Sequence, residues 1–194
     1  MKKNIIIGIA IIIAIVVGYL IYTFISPSTV KFLNKNGYIK DKVEVGNYSK
    51  VLTNNTFDEY YDKTDAGFLD EYKEYTISPE SNNFIYKYLF TKETDINNTL
   101  TIIYNFENKK TTYEYLIMNN TDYSMLALSG MYQDNSLTCN VQDNKRISKS
   151  LLNNYCGTVK EELIKFIDER NILTSNDKFM NDVLENNLWK ESVI

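Results

Sequence analysis

Residues 84–117 read FIYKYLFTKETDINNTLTIIYNFENKKTTYEYLI, and the period of two in this stretch decides the fold. Phe84, Tyr86, Tyr88 and Phe90 alternate with Ile85, Lys87, Leu89 and Thr91. After a polar turn, Leu100, Ile102, Tyr104 and Phe106 alternate with Thr101, Ile103 and Asn105. Successive side chains of a strand point to opposite faces, so each run has one apolar face and one mixed face. Asn108-Lys109-Lys110 makes a tight reversal into Tyr113, Tyr115 and Ile117, and Asn119-Asn120 makes another into Tyr123 to Met131. Strands of about 7–9 residues joined by short polar turns predict an antiparallel meander. It spans residues 68–142 and holds five or six strands. The tyrosines on its apolar face have two readings. Packing and hydrogen bonding in a half-buried sheet is the ordinary one, and a stacking platform for sugar or peptide is the other.

Beyond Gln142 the period becomes helical. Ser148 caps a short segment containing Leu151, Leu152 and Tyr155. Thr158-Val159-Lys160-Glu161 matches a capping box, which predicts a separate helix ending near Asn171 with Val159, Leu163, Phe166 and Ile167 on one side. A last amphipathic helix places Phe179, Val183, Leu184 and Leu188 together, with Trp189 beside them. The class is therefore α+β, a meander covered by C-terminal helices between residues 148 and 190. Upstream, residues 26–67 form a helical and extended segment. A helix is expected from Ser28 to Asn36, stopped at Asn36-Gly37, then an extended piece from Val43 to Leu52. Thr56-Phe57-Asp58-Glu59 is another capping box, and its short helix ends before Gly67.

From Asn4 to Ile25 the chain reads NIIIGIAIIIAIVVGYLIYTFI, with no charged side chain. As a helix this run would span roughly 33 Å, enough for a hydrocarbon core of about 30 Å. The expectation is an uncleaved transmembrane helix, because the apolar region of a signal peptide is usually only about 7–15 residues. Lys2 and Lys3 mark residues 1–3 as a cytoplasmic tail, and Tyr19, Tyr22 and Phe24 suit the outer interface. Lys31, Lys35 and Lys40 weaken the charge asymmetry but open a long domain that translocates whatever its charge. The expected localisation is the cytoplasmic membrane, single-pass, N-terminus in and C-terminal domain outside. Ala10, Ala14 and Gly18 lie four apart on one stripe, a small-xxx-small pattern that permits a homodimer through this helix. Small residues are also ordinary in such helices.

Composition excludes several chemistries. With no histidine the chain has neither a Ser-His-Asp nor a Cys-His arrangement, nor an imidazole-bound zinc. Setting Lys2 and Lys3 aside leaves 19 basic against 25 acidic side chains, a net charge of −6 that disfavours nucleic acid. Seven acids fall within residues 58–74 (Asp58, Glu59, Asp62, Asp65, Asp70, Glu71 and Glu74), but aligning Gly67 with the glycine of an EF-hand puts Ala66 and Lys73 at ligand positions. A solvated acidic face is the better reading, and no catalytic, metal or cofactor site is expected.

Cys139 ends the meander and Cys156 precedes the second capping box. A disulfide between them is expected in an oxidising compartment, unless an anaerobic source leaves both thiols reduced. The functional expectation is a non-enzymatic, membrane-anchored binding or envelope-assembly module with a protein partner at the membrane. The alternative is a small Asp/Glu-dependent envelope hydrolase.

Overall fold

A computed structural model describes residues 28–42, 44, 46–53, 71–93, 96–119, 121–142 and 146–185, together with Ile12 and Ile15. The chain divides into two units, Met1–Gly37 and Tyr38–Ile194. In the first, helix α1 (Ser28–Lys35) ends where expected. The Asn36 side-chain amide donates to the Phe32 carbonyl at 2.8 Å, and Gly37 takes a φ of 86°. Glycine reaches this left-handed conformation without a Cβ clash, which is why the helix stops there. The apolar run 4–25 lies outside the described residues except for Ile12 and Ile15, which are helical and exposed. Among the described residues no helix is long and apolar enough to cross a membrane.

The second unit holds an antiparallel sheet. Its strands are β1 (Ile39–Lys40), β2 (Tyr48–Val51), β3 (Glu71–Ser78), β4 (Asn83–Glu93), β5 (Ile96–Asn105), β6 (Thr111–Asn119), β7 (Met125–Gln133), β8 (Ser136–Leu137) and β9 (Asn140–Val141). Strands β1 to β8 neighbour one another in sequence order, and β9 pairs with β7. This is the expected meander, enlarged. The expectation of five or six strands corresponds to the five long ones, β3 to β7. It missed the ladders of two to four residues, which are too short to show a period. One of them, β2, comes from the extended piece and joins the sheet through Tyr48↔Ile77.

Register stacks the alternating aromatics into rows. Ile77, Phe84, Tyr104 and Thr111 are cross-strand neighbours in one row, and Tyr75, Tyr86, Ile102 and Tyr113 in the next. All eight are buried. The second row continues to Gly130. A Cβ there would collide with the Thr138 carbonyl oxygen and stand 2.8 Å from Tyr113 Cε1, so the chain after β8 crosses where only glycine leaves room.

Helix α2 (Lys149–Thr174) lies on this face. Its Phe166 ring stacks on Phe84, with centroids 4.9 Å apart. Two separate helices were expected here, and the structure corrects this to one. Ser148 is the N-cap, its hydroxyl accepting from the Leu151 N–H at 3.2 Å. Thr158 starts nothing, and its hydroxyl instead donates back to the Asn154 carbonyl at 3.4 Å. A capping box ends a helix only if the preceding backbone leaves the helical region. Gly157 permits that departure but does not force it, and burial of Val159, Leu163, Phe166 and Leu173 on one stripe favours continuity. The terminal helix α3 (Asp177–Leu184) is capped by Asn176 and buries Phe179 and Val183. Phe179 meets Phe106 edge to face, centroids 5.6 Å apart. Leu188 and Trp189, expected on the same helix, lie outside the described residues.

Candidate functional site

Two carboxylates stand in the buried stripe of α2. Glu162 is 5 % exposed. Its Oε2 accepts from the Tyr86 hydroxyl at 2.5 Å, and its Oε1 accepts from Lys165 Nζ at 2.7 Å with Lys73 Nζ at 3.8 Å. Two helical turns later, Glu169 Oε1 accepts from the Tyr38 hydroxyl at 2.9 Å and from Lys50 Nζ at 2.8 Å. Helix α2 supplies the acids and the Lys165 donor, while β2, β3, β4 and the residue before β1 supply the other donors, so the polar groups form a seam between helix and sheet.

The surrounding charges behave accordingly. Burial pushes the Tyr86 phenol far above its ordinary range, and its hydrogen bond to Glu162 reinforces this. Tyr38 is raised in the same way by burial and by the negative charge of Glu169. Lys73 is ion-paired with Glu71, holding that carboxyl below its usual range, and its ammonium sits 4.2 Å from the centroid of the Tyr88 ring. A buried acid costs several kcal/mol to desolvate unless it is paired and hydrogen-bonded, as buried Glu162 and half-buried Glu169 both are.

The arrangement fixes the acids as acceptors and gives them no open space between them. Seven residues of helix separate them by about 10 Å of rise, and Phe166 occupies the interval against Phe84. A glycosidase pair needs room for a sugar and, in the inverting case, a water between its carboxyl groups.

Of the residues singled out in the sequence, Cys139 and Cys156 come together as a disulfide, with their Cα atoms 6.3 Å apart. That lies within the range a disulfide tolerates, and it fastens the segment between β8 and β9 to the second turn of α2. Ala10, Ala14 and Gly18 lie outside the described residues, as do Asp58, Glu59, Asp62, Asp65, Asp70 and the Thr56 capping box. Glu71 and Glu74 are on β3. Among the described residues no three His, Cys, Asp or Glu side chains are grouped to hold a metal ion.

Sequence reasoning missed Glu162 and Glu169. Their signal was present: seven apart, they fall on the stripe defined by Val159, Phe166 and Leu173, where a charge demands a partner. The excess of tyrosine on the facing sheet supplies that partner.

Openings border the described residues of the domain. One, of about 410 Å³, lies where the β5–β6 loop meets the β7–β8 hairpin and is lined by polar and charged side chains. Another, of about 270 Å³, is mainly apolar and lined by Ile96, Ile117, Met125, Leu126, Ile147 and Tyr155, among others. Neither includes the buried acids. No protein-family model, no curated protein and no solved structure matches the chain.

Proposed function

We propose that the chain is a single-pass membrane protein that holds its α+β domain on the outer face of the cytoplasmic membrane as a non-enzymatic binding or assembly module. The uncharged run from Asn4 to Ile25 carries this reading, because nothing in a water-soluble unit of this size requires 22 consecutive residues of that character. The disulfide supports the compartment, since such bonds persist where the surroundings are oxidising. A tether confines the domain near the membrane and raises its effective concentration for a neighbouring protein. The stripe of Ala10, Ala14 and Gly18 offers a second copy as one such neighbour.

The hydrolase alternative loses ground to the seam. Its best buried acids are held by Tyr86, Lys165, Tyr38 and Lys50, with Phe166 packed on the same stripe between them. Protease added to intact spheroplasts is expected to digest the chain beyond about Ser26. A domain that survives until detergent is added reverses the orientation. Crosslinking in intact cells is expected to recover a reproducible protein partner. An enzymatic activity abolished by Glu162→Gln in folded protein favours the alternative.

A further inference from the structure

The 410 Å³ cleft differs in character from the rest of an acidic domain. Lys109 and Lys110 approach it from the β5–β6 loop and Arg170 from α2, against the single carboxylate of Asp134. Among the described residues none of these three cations takes part in an ion pair, as is also so for Lys87, Arg146, Lys149 and Lys160; what sets the three apart is that they line one cleft. The Arg170 guanidinium is positioned from below by the Tyr104 ring, 5.0 Å from the centroid, and beside it by Asn171 Oδ1 at 3.0 Å from Nη2. Among the described residues its remaining N–H groups have no hydrogen-bond partner, and a guanidinium fork suits phosphate oxygens.

The two loops are fixed in advance. Lys109 is left-handed with φ 57°, and the Lys109 N–H donates to the Asn105 carbonyl at 2.9 Å. The Asn108 carboxamide oxygen accepts from the Lys110 N–H at 2.9 Å. Asp134 and Asn135 turn the opposing hairpin with φ of 50° and 61°, and the Tyr132 hydroxyl donates to Asn135 Oδ1 at 3.0 Å. A left-handed lysine is costly relative to glycine or asparagine, and strain of this kind is held where the surroundings determine it. Side-chain amides of Asn108, Gln133 and Asn135 also line it, beside Thr111, Met131 and Tyr132.

We infer that this cleft binds the phosphate group of a small organic phosphate, with Lys109, Lys110 and Arg170 on the phosphate and the amide side chains on the hydroxyls of its carbon skeleton. The volume is in the range of small-molecule sites and exceeds what a bare anion fills. Ligation by two lysines and one arginine requires no metal and no histidine. The inference rests on the binding-module reading for its biological sense, but the two fail separately. Protease topology reports the tether, while titration of the purified protein reports the cleft.

The test uses the full-length chain in zwitterionic detergent, titrated with glycerol phosphate, inorganic phosphate and glycerol at constant ionic strength. Calorimetry with amide and guanidinium resonances is expected to show saturable binding of glycerol phosphate, weaker binding of inorganic phosphate and none of glycerol. Lys109→Ala with Lys110→Ala is expected to weaken binding at least about tenfold. Both positions are exposed, so the variant should melt with the parent. Arg170→Lys, which keeps the charge but loses the fork, provides a second variant with a smaller loss. No saturable binding at roughly 10 mM overturns the proposal. So does equal affinity for inorganic phosphate, or binding unchanged in the double variant.

Discussion

The buried tyrosines make the domain sensitive to alkali, and burial is the largest cause. Tyr38, Tyr75, Tyr86 and Tyr115 are each no more than 4 % exposed, and burial raises all four phenols well above the ordinary value. In the unfolded chain the same groups ionise near about pH 10. Above that pH the unfolded state has released protons that the native state still holds, so stability falls as pH rises. The contribution is complete below about pH 10 and is lost on the way to the native values. Each such group costs about 1.4 kcal/mol per pH unit in that window, and four together cost about 5 kcal/mol per unit. Against a typical stability of about 5–15 kcal/mol, the fold should fail roughly one to three units above pH 10. Tyr113, pushed up to about 12 by burial, steepens the fall.

Tyrosinate absorbance and far-ultraviolet circular dichroism, followed together against pH, test this. The expected result is a steep, cooperative rise in tyrosinate coincident with loss of sheet signal. Tyr86→Phe should reduce the slope by about a quarter of the four-group total. If the buried phenols ionise gradually around pH 10 with the sheet signal intact, the reasoning from burial fails.

The seam, the glycines and the disulfide give further tests. Glu162→Gln removes the charged acceptor of Tyr86 and of Lys165, while Lys73 keeps Glu71, and is expected to cost about 1–3 kcal/mol in chemical denaturation; no measurable change contradicts the described pairing. Gly157→Ala, inside α2 with nothing near its added Cβ, should stabilise by about 0.5–1 kcal/mol. Gly130→Ala should instead destabilise by more than about 2 kcal/mol, since Thr138 backbone occupies the same space. Reducing Cys139–Cys156 opens a loop of sequence separation 17 and is expected to lower unfolding free energy by about 3 kcal/mol, measured as a shift in denaturant midpoint.

Legibility in the sequence followed the length of each repeating pattern. Strands β4, β5 and β6 repeat their alternation over nine to eleven residues, and their faces could be assigned before any pairing was known. Strands β1, β8 and β9 contain two residues each and exist because a neighbour supplies the ladder. The break expected at Thr158 shows the opposite failure. A local capping signal was outweighed by a buried stripe running through both halves of the helix, a case of tertiary packing overriding propensity. Glu162 and Glu169 fall on the buried stripe in sequence, but a glutamate on a helix reads as solvent-facing until the opposing sheet is known to carry phenols and lysines, so the stripe alone did not single them out.

Helix α2 uses several of its side chains to hold itself to the rest of the fold. Cys156 secures its second turn, Glu162 and Phe166 its middle, and Glu169 the following turn. Each of these groups is committed to a partner in the fold, and a committed group is a poor candidate for binding or catalysis. Arg170 stands next in sequence to Glu169 yet points its charge toward an opening, with only an aromatic face and one amide oxygen as described partners. The two lysines across from it are supplied by a loop whose backbone is already fixed by Asn105 and Asn108. A pre-shaped cleft that brings three such cations together holds counter-charge for an external anion already in place.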